Sequence, residues 1–362
     1  MAMKTHLGLA LVLVVSVAPA MAQDKVGKID LLGSITLPTG LLVGGEEFGG
    51  ISGLDYDAAS DRYFAISDDR SQRAPARFYE LKLGIDAEGV HSVDIAQSHM
   101  LRQASGDVFP EGGVDPEAIR FDADRKSIIW SSEGDVQGAP AIYESRLDGT
   151  FLRSFAVPAY YTPNADNTAG VYSNLAFEGI AISADGATLF AMTENALAQD
   201  GAKAVLEAGS HSRLIAFDIK TGAPRAEYIY ETGPIFTKAT AEPPYNDNGV
   251  SDIMVLEDGR LITVERSFAA GVGNQIKLFV TSIDGASDIA GQGSIEGVKL
   301  TPVGKVALGV IGEGDFGLDI DNIESITFGP EVDGGQTIIV ASDNNFSAAQ
   351  FTQFVAFKLT LN

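Results

Sequence analysis

The 362-residue sequence contains no cysteine and only four histidines. Without cysteine the chain can form no disulfide, thiolate zinc site or iron–sulfur cluster, and it has no cysteine nucleophile. Basic residues are also scarce, since 25 Lys and Arg stand against 49 Asp and Glu and give a formal net charge of −24. Nucleic-acid binding requires a basic surface that neutralises phosphates, so we expect no nucleic-acid partner.

Long hydrophobic runs are missing as well, because no apolar stretch reaches the roughly 20 residues that a membrane-spanning helix needs. An apolar run from Leu7 to Ala18 follows Lys4 and precedes Ala20-Met21-Ala22. This is the pattern of a secretory signal peptide, which we place at residues 1–22. We therefore expect an exported protein, periplasmic in a Gram-negative host, whose mature form is a single domain over residues 24–362 that is not attached to a membrane.

Five segments of the sequence repeat one pattern, in which an acidic or polar residue opens an apolar run, a turn follows, and a second β-rich run ends in an acid. The opening residues are Ser52, Glu117, Glu178, Asp252 and Glu324, and the closing residues are Asp68, Glu133, Glu194, Glu265 and Asp343. Turns such as Asp185-Gly186 and Asp258-Gly259 have the composition of β-hairpins. Two further strand-like runs usually follow, and four antiparallel strands make one blade of a β-propeller.

We therefore predict an all-β fold, a β-propeller of four-stranded blades. Five blades can be counted in the sequence. A sixth is an alternative, because a degenerate blade could lie within residues 270–315. The fifth repeat has only three strands before the chain ends. The run from Ile29 to Leu37 is the expected fourth strand, so that an N-terminal strand closes the last blade and removes the open edges of a linear array.

The acidic residues of the repeats are expected to converge at one mouth of the central channel. The opening and closing residues of a hairpin are neighbours about 5 Å apart, so both lie at the same end of a blade. Carboxylates at that spacing repel by roughly 3 kcal/mol per pair at an effective dielectric near 20. Protonation, arginine partners or a bound cation must offset this repulsion, and an oxygen-only ligand set favours a hard ion such as Ca²⁺.

This ring supplies the candidate site residues. The candidate metal ligands are Asp68, Glu117, Glu178, Glu194, Asp252, Glu265, Glu324 and Asp343. Glu117, Glu178 and Glu194 are the candidate catalytic residues, as carboxylates that transfer protons. Arg70 and Arg266 lie within two residues of ring acids and are candidate counter-charges or clamps for an anionic substrate. The alternative is that the repeated acids only bind backbone N–H groups and fix the geometry of the blades.

Several spaced segments resemble the bacterial phytase-like domain proteins, described as having esterase-like activity of phytase. The segments are Gly50-Ile51-Ser52-Gly53-Leu54, Asp115-Pro116-Glu117-Ala118-Ile119, Phe177-Glu178-Gly179-Ile180, Thr193-Glu194-Asn195, Asn322-Ile323-Glu324-Ser325-Ile326 and Ser342-Asp343-Asn344-Asn345. The resemblance spans residues 45–358 and implies an exported propeller related to calcium-dependent propeller phytases, which hydrolyse phosphate esters at an acidic channel mouth. Glu117 interrupts the corresponding phytase motif and Arg120 follows where Trp is expected, which leaves phytate specificity open.

Three functions are therefore considered. The first is a periplasmic, Ca²⁺-dependent hydrolase that acts on a small-molecule phosphate ester or related ester. The second is a lactonase or carboxylic-ester hydrolase that uses the same metal site. The third is a non-catalytic propeller that binds a ligand or a partner protein, with calcium only as a structural element; the sequence does not specify a protein partner. The sequence contains no G-x-S-x-G nucleophile elbow, no H-E-x-x-H motif and no P-loop.

Overall fold

The computed structural model describes residues 26–362, so the predicted signal peptide lies outside the described residues. Nearly all regular structure is β. Two three-residue 3₁₀ helices, Ala159–Tyr161 and Asp315–Gly317, interrupt the loops. The chain begins with a long strand and a small hairpin: β1 (Gly27–Pro38), β2 (Leu42–Val43) and β3 (Glu46–Glu47).

The chain then forms successive four-stranded antiparallel sheets, here called blades. Blade 1 contains β4 (Ile51–Asp57), β5 (Arg62–Ser67), β6 (Arg77–Asp86) and β7 (Gly89–Met100). Blade 2 contains β8 (Pro116–Asp122), β9 (Ser127–Ser132), β10 (Ala141–Arg146) and β11 (Phe151–Ser154). Blade 3 contains β12 (Phe177–Ile182), β13 (Thr188–Ala196), β14 (His211–Asp218) and β15 (Pro224–Glu231). Blade 4 contains β16 (Asn246–Val255), β17 (Leu261–Ala269), β18 (Gly273–Ser282) and β19 (Gly304–Gly312).

Blade 5 joins the two ends of the described chain. It contains β20 (Asn322–Phe328), β21 (Thr337–Asp343), β22 (Phe351–Leu361) and, outermost, β1. The pairing of β1 with β22 runs from Gly27 opposite Leu361 to Pro38 opposite Phe351. The predicted closure by an N-terminal strand is therefore confirmed. Residues 270–315, where the sequence allowed a sixth blade, instead contain the two outer strands of blade 4. The propeller therefore has five blades.

Apolar side chains seal each interface between neighbouring blades. Five clusters of buried hydrophobic residues lie one at each interface. Phe64 of blade 1 and Trp130 of blade 2, for example, belong to the same cluster. The first strands of neighbouring blades, β4, β8, β12, β16 and β20, contact one another around a closed ring. These strands are innermost and surround the central channel.

An arginine crosses this channel. Arg120 of β8 donates from Nη2 to both carboxylate oxygens of Asp252 in β16, at 2.8 Å each, although their blades are not neighbours. Its Nη1 donates to the carbonyl of Leu54 in blade 1 at 3.0 Å. Arg120 is 4% exposed and Asp252 is 0% exposed. Nη2 also donates to the carbonyl of Ile326 in blade 5 at 3.4 Å, so the guanidinium group links four blades within the channel.

Candidate functional site

A β-bulge occurs at the same point of every innermost strand. At each bulge one or two residues of the inner strand have no partner on the second strand. A bulge of this kind changes the direction in which its side chains point. The bulged residues are Ser52, Glu117, Glu178, Ser251 and Glu324. The inner strands of three blades therefore carry a glutamate at the bulge, and those of the other two blades carry a serine there.

The second strand of each blade passes beside the bulge and carries the next ring of side chains. In blade 1, Ser67 pairs with Ile51 just before the bulge, and Asp68 follows. In blade 4 the residue that pairs with Val250 before the bulge is Glu265, so the position equivalent to Asp68 is Arg266. The five equivalent residues are Asp68, Glu133, Glu194, Arg266 and Asp343. Arginine thus replaces an acid in one of five positions.

The predicted places of Asp252 and Glu265 in the ring are wrong. Both lie one position away from the ring register in blade 4, and a slip of one residue moves a side chain to the opposite face of a strand. Asp252 binds Arg120 inside the channel. The carboxylate of Glu265 accepts hydrogen bonds from Tyr230 at 2.7 Å and Lys305 at 2.6 Å, on another face of the blade.

The other seven predicted carboxylates come together, and Asp115 joins them. We call this set the acidic cluster; its members are Asp68, Asp115, Glu117, Glu133, Glu178, Glu194, Glu324 and Asp343. Carboxylate oxygens of Asp115, Glu117 and Glu133 lie within 4.8 Å of one another. The same limit holds for Glu133, Glu178 and Glu194. The two groups share Glu133, so the cluster is continuous across blades 2 and 3.

Two arginines flank the cluster on opposite sides. Arg70 binds Asp115 through two contacts, from Nε at 2.8 Å and from Nη2 at 2.6 Å. Arg266 approaches Glu194 at 3.5 Å and Glu324 at 3.9 Å. It also donates to Asp247 at 3.2 Å. The two predicted arginines are therefore counter-charges of the acids, and they offset only part of the cluster's negative charge.

The remaining charge perturbs the acids. Burial, reinforced by neighbouring carboxylates, raises the pKa of Asp68, Asp115 and Glu133 to about 7. The same causes raise the pKa of Glu117 and Glu178 well above the usual value for glutamate. In the absence of a cation the folded protein thus holds protons at several of these carboxyl groups near neutral pH.

The hydrogen bonds of the cluster leave acceptor oxygens free. Asp68 Oδ1 and Glu133 Oε2 are buried without a hydrogen-bond partner. Within residues 26–362, no backbone N–H donates to the carboxylate of Glu117 or Glu178. A purely geometric role for these acids would require such bonds, since buried polar groups are normally satisfied. The donor set, oxygen atoms with excess negative charge, fits a hard divalent cation.

Glycines make room for two of the acids. A Cβ atom on Gly50, whose φ is +64°, would lie 2.1 Å from Asp68 Oδ1. A Cβ atom on Gly249 would lie 2.3 Å from Cγ of Glu194. Any side chain at these positions would displace an acid of the cluster. The local backbone is therefore matched to the placement of the carboxylates.

Two cavities open beside the cluster. One, of ≈ 600 Å³, lies between blades 4 and 5 and is lined by Arg266, Glu324, Asp247 and Tyr245 among others. The second, of ≈ 390 Å³, is lined by Arg70, Asp115 and Glu133 among others. Asn174, which accepts a hydrogen bond from Arg70, belongs to the lining of both. A small molecule can therefore reach the cluster from either side of this residue.

Sequence reasoning missed several of these residues. Asp115 lies two positions before Glu117, in a segment that carried the family resemblance, so that position was a usable signal. Asp247 and Tyr245 precede the bulge of blade 4 in a stretch that reads as a long loop, where the sequence gives no periodic signal. The contact between Asp247 and Arg266 depends on the register of β16 with β17.

The chain matches a known protein family. Residues 46–346 match the family model described as phytase-like, esterase-like activity of phytase. The chain belongs to the phytase-like family. The predicted resemblance is thereby confirmed at the level of the family.

Two individual proteins are similar to this phytase-like chain. An "Uncharacterized secreted protein" of Arthroderma benhamiae (strain ATCC MYA-4681 / CBS 112371) is 28% identical over 158 residues, which cover 39% of this chain and 30% of that protein. The chain thus matches less than a third of that relative's length. The solved "Structure of Dos1 propeller" is similar with a TM-score of 0.35 and 9% identity, over 85% of this chain and 68% of that one. Among the described residues, no helix is long and apolar enough to cross a membrane.

Proposed function

We propose that this phytase-like protein is an exported, Ca²⁺-dependent hydrolase of phosphate or related esters. The observation that carries the proposal is the acidic cluster, in which buried oxygens of Asp68 and Glu133 lack any partner. Two groups of three carboxylates meet at Glu133, so the cluster has ligands for up to two cations. Calcium binds oxygen ligands and accepts irregular coordination, which suits a site assembled from several blades.

The residues that would hold the cations are Asp68, Asp115, Glu117, Glu133, Glu178, Glu194, Glu324 and Asp343. A bound calcium ion would supply Lewis-acid polarisation of the ester oxygen and would acidify the attacking water. Glu117, Glu178 and Glu194 are the candidates to accept the proton of the attacking water, because their carboxylates lie inside the cluster; the one that does so would be a carboxylate that the cation leaves uncoordinated.

The two arginines would bind and orient the substrate. Arg70 is 41% exposed at its side chain and lies in the wall of the smaller cavity. Arg266 is 13% exposed and faces the larger cavity, where its Nε is buried without a hydrogen-bond partner.

A carboxylic ester or lactone is the second candidate substrate class. Both arginines are already paired with carboxylates, so neither cavity offers the several free cations that a highly phosphorylated substrate requires. An uncharged ester would meet no repulsion from the cluster. The reaction would use the same carboxylates and the same cation.

The test is a panel of chromogenic substrates: a phosphate monoester, a phosphate diester, a carboxylic ester and a lactone, each assayed with calcium and with chelator. We expect turnover of a phosphate ester that the chelator abolishes. Turnover restricted to the carboxylic ester or lactone would favour the second candidate. Absence of all turnover, together with a calcium-dependent rise in melting temperature, would refute the hydrolase and indicate a binding protein.

The matched variants are Glu178→Gln in the cluster and Glu331→Gln on the exposed turn between β20 and β21. Glu178→Gln should abolish turnover while the protein remains folded, and Glu331→Gln should retain it. Unfolding of the Glu178→Gln protein would indicate that the acid serves only the geometry of the blade. Undiminished turnover would remove Glu178 from the proposed mechanism.

Export is proposed from the signal-peptide pattern of residues 1–22, and the name of the Arthroderma relative, a secreted protein, supports it. The proposed compartment is the periplasm of a Gram-negative host. Expression of the full chain in such a host should release a mature protein that begins at Gln23 into the periplasmic fraction. An intact N-terminus in the cytoplasmic fraction would contradict export.

A further inference from the structure

The larger cavity has a lining that repels polyanions. Its volume of ≈ 600 Å³ lies within the range of about 300–1,000 Å³ found for small-molecule sites. Its only cationic side chain among the described residues is Arg266, and the carboxylates opposing it are Asp247, Glu313, Asp319, Asp321 and Glu324. A ligand with several negative charges would therefore meet net repulsion throughout the cavity.

Two carboxylates of the lining, Asp321 and Asp247, are poorly available to a cationic ligand, because protein donors already occupy them. Asp321 accepts hydrogen bonds from the backbone of Asn322 at 2.8 Å, from Gln350 Nε2 at 3.0 Å and from the backbone of Phe351 at 2.8 Å. Asp247 accepts from Arg266 and Tyr245. These acids shape the cavity walls rather than offering free charge.

Side-chain amides are the groups left with unused hydrogen-bonding capacity. Within the described part of the chain, the amide of Asn345 makes no side-chain hydrogen bond, and the amide oxygens of Asn322 and Gln350 accept none. Each residue lines the cavity. An amide combines a donor and an acceptor, which matches a hydroxyl group that both donates and accepts.

An aromatic side chain supplies a flat surface beside these amides. Tyr245 is 57% exposed, and its hydroxyl donates to Asp247 Oδ2 at 2.6 Å. Its ring packs beside Phe268, with centroids 6.1 Å apart. These two contacts orient the ring, and more than half of the residue's surface stays exposed. A ring with an apolar face and polar edges can stack on such a surface.

We propose that this cavity binds a neutral, hydroxyl-rich ring, a hexose or a related glycosyl group, as the body of the ester substrate. The inference rests on the proposed function, because it places the glycosyl group beside the acidic cluster where the ester would be cleaved. Tyr245 provides the stacking surface, Asn345 and Asn322 bind the hydroxyl groups, and Arg266 faces the single acidic or acyl group of the ester.

The test measures binding without chemistry. Saturation-transfer NMR on the calcium-loaded mature chain would use methyl glucopyranoside, galactopyranoside and mannopyranoside as uncharged probes, with choline and inositol hexakisphosphate as charged comparators. The variants are Tyr245→Ala, Tyr245→Phe and, as a control, Leu42→Ala, a 65% exposed apolar residue outside the cavity.

We expect saturation transfer to at least one methyl hexopyranoside, weakened about fivefold to tenfold by Tyr245→Ala. Tyr245→Phe, which keeps the ring, and Leu42→Ala should retain binding. Transfer to none of the hexopyranosides, transfer only to choline, displacement of the hexopyranosides by inositol hexakisphosphate, or unchanged binding in Tyr245→Ala would overturn the inference.

The ester panel separates this inference from the proposed function. Chelator-sensitive ester hydrolysis by a protein that binds no hexopyranoside would refute the glycosyl site and leave the hydrolase standing. Tyr245-dependent hexopyranoside binding by a protein that hydrolyses no ester would support the site and refute the hydrolase.

Discussion

The metal-free protein should become less stable as the pH rises. In the folded, metal-free protein the pKa of Asp115 and of Glu133 is raised to about 7. A carboxyl group whose pKa is raised by folding favours the folded state only while it is protonated. Its stabilising contribution is therefore complete below about pH 4, the pKa of the unfolded chain, and is lost as the pH rises through about 7.

The size of the effect follows from one such group. A carboxyl group whose pKa rises from 3.8 to about 7 costs about 4 kcal/mol of folding free energy above pH 7. The unfolding entropy of a chain of this length is about 0.7 kcal/mol/K, so the melting temperature should fall by about 6 °C for each such group. Calcium, by neutralising the carboxylates, should restore the loss.

Differential scanning calorimetry from pH 5 to pH 8.5, with chelator and with calcium, measures this directly. The stabilisation by calcium should be small at pH 5 and large at pH 8, and Glu133→Gln should flatten the pH dependence of the metal-free protein. Glu331→Gln, on an exposed turn, is the control and should behave as wild type. A metal-free protein whose melting temperature rises between pH 5 and pH 8 would refute the reasoning.

Three further perturbations test other contacts. Arg120→Met leaves Asp252 buried without its cation. The free energy of unfolding, measured with urea, should fall by about 3–5 kcal/mol. A loss below about 1 kcal/mol would show that the ion pair across the channel does not stabilise the fold. Gly249→Ala should displace Glu194 and weaken calcium binding, measured by titration calorimetry, by about tenfold or more. Gly304→Ala is the control and should not weaken binding, because no atom lies nearer than 3.9 Å to the added Cβ. Equal calcium affinities of the two variants would show that Glu194 does not bind the ion. Arg266→Gln removes a positive charge beside the cluster, so calcium affinity should increase about tenfold while turnover falls; weaker calcium binding would contradict its role as a counter-charge.

The fold was predictable because its signals are local and repeated. Alternating apolar strands and hairpin turns recur along the chain, and a three-stranded last repeat requires a partner such as β1. The pairing register of the strands within a blade could not be predicted to within one residue. In blade 4 the acids Asp252 and Glu265 continue the sequence pattern, yet the bulge at Ser251 places Arg266 in the ring.

The site was predictable only where it follows the repeat. Glu117, Glu178 and Glu324 occupy bulges that recur in every blade, so repetition alone located them. The contacts of Asn174 and Tyr245 depend on how individual loops and strand ends pack over the channel mouth, which periodicity does not encode. The pairing of Arg120 with Asp252 joins two strands 132 positions apart and follows only from closure of the ring.

We propose that the acidic cluster binds a divalent cation through Glu133 and its neighbours. Isothermal titration calorimetry of Ca²⁺ into chelator-treated protein at pH 7.5 measures this binding. We expect saturable binding of one or two ions that Glu133→Gln severely weakens and Glu331→Gln does not. No heat of binding, or binding that Glu133→Gln leaves unchanged, would contradict it.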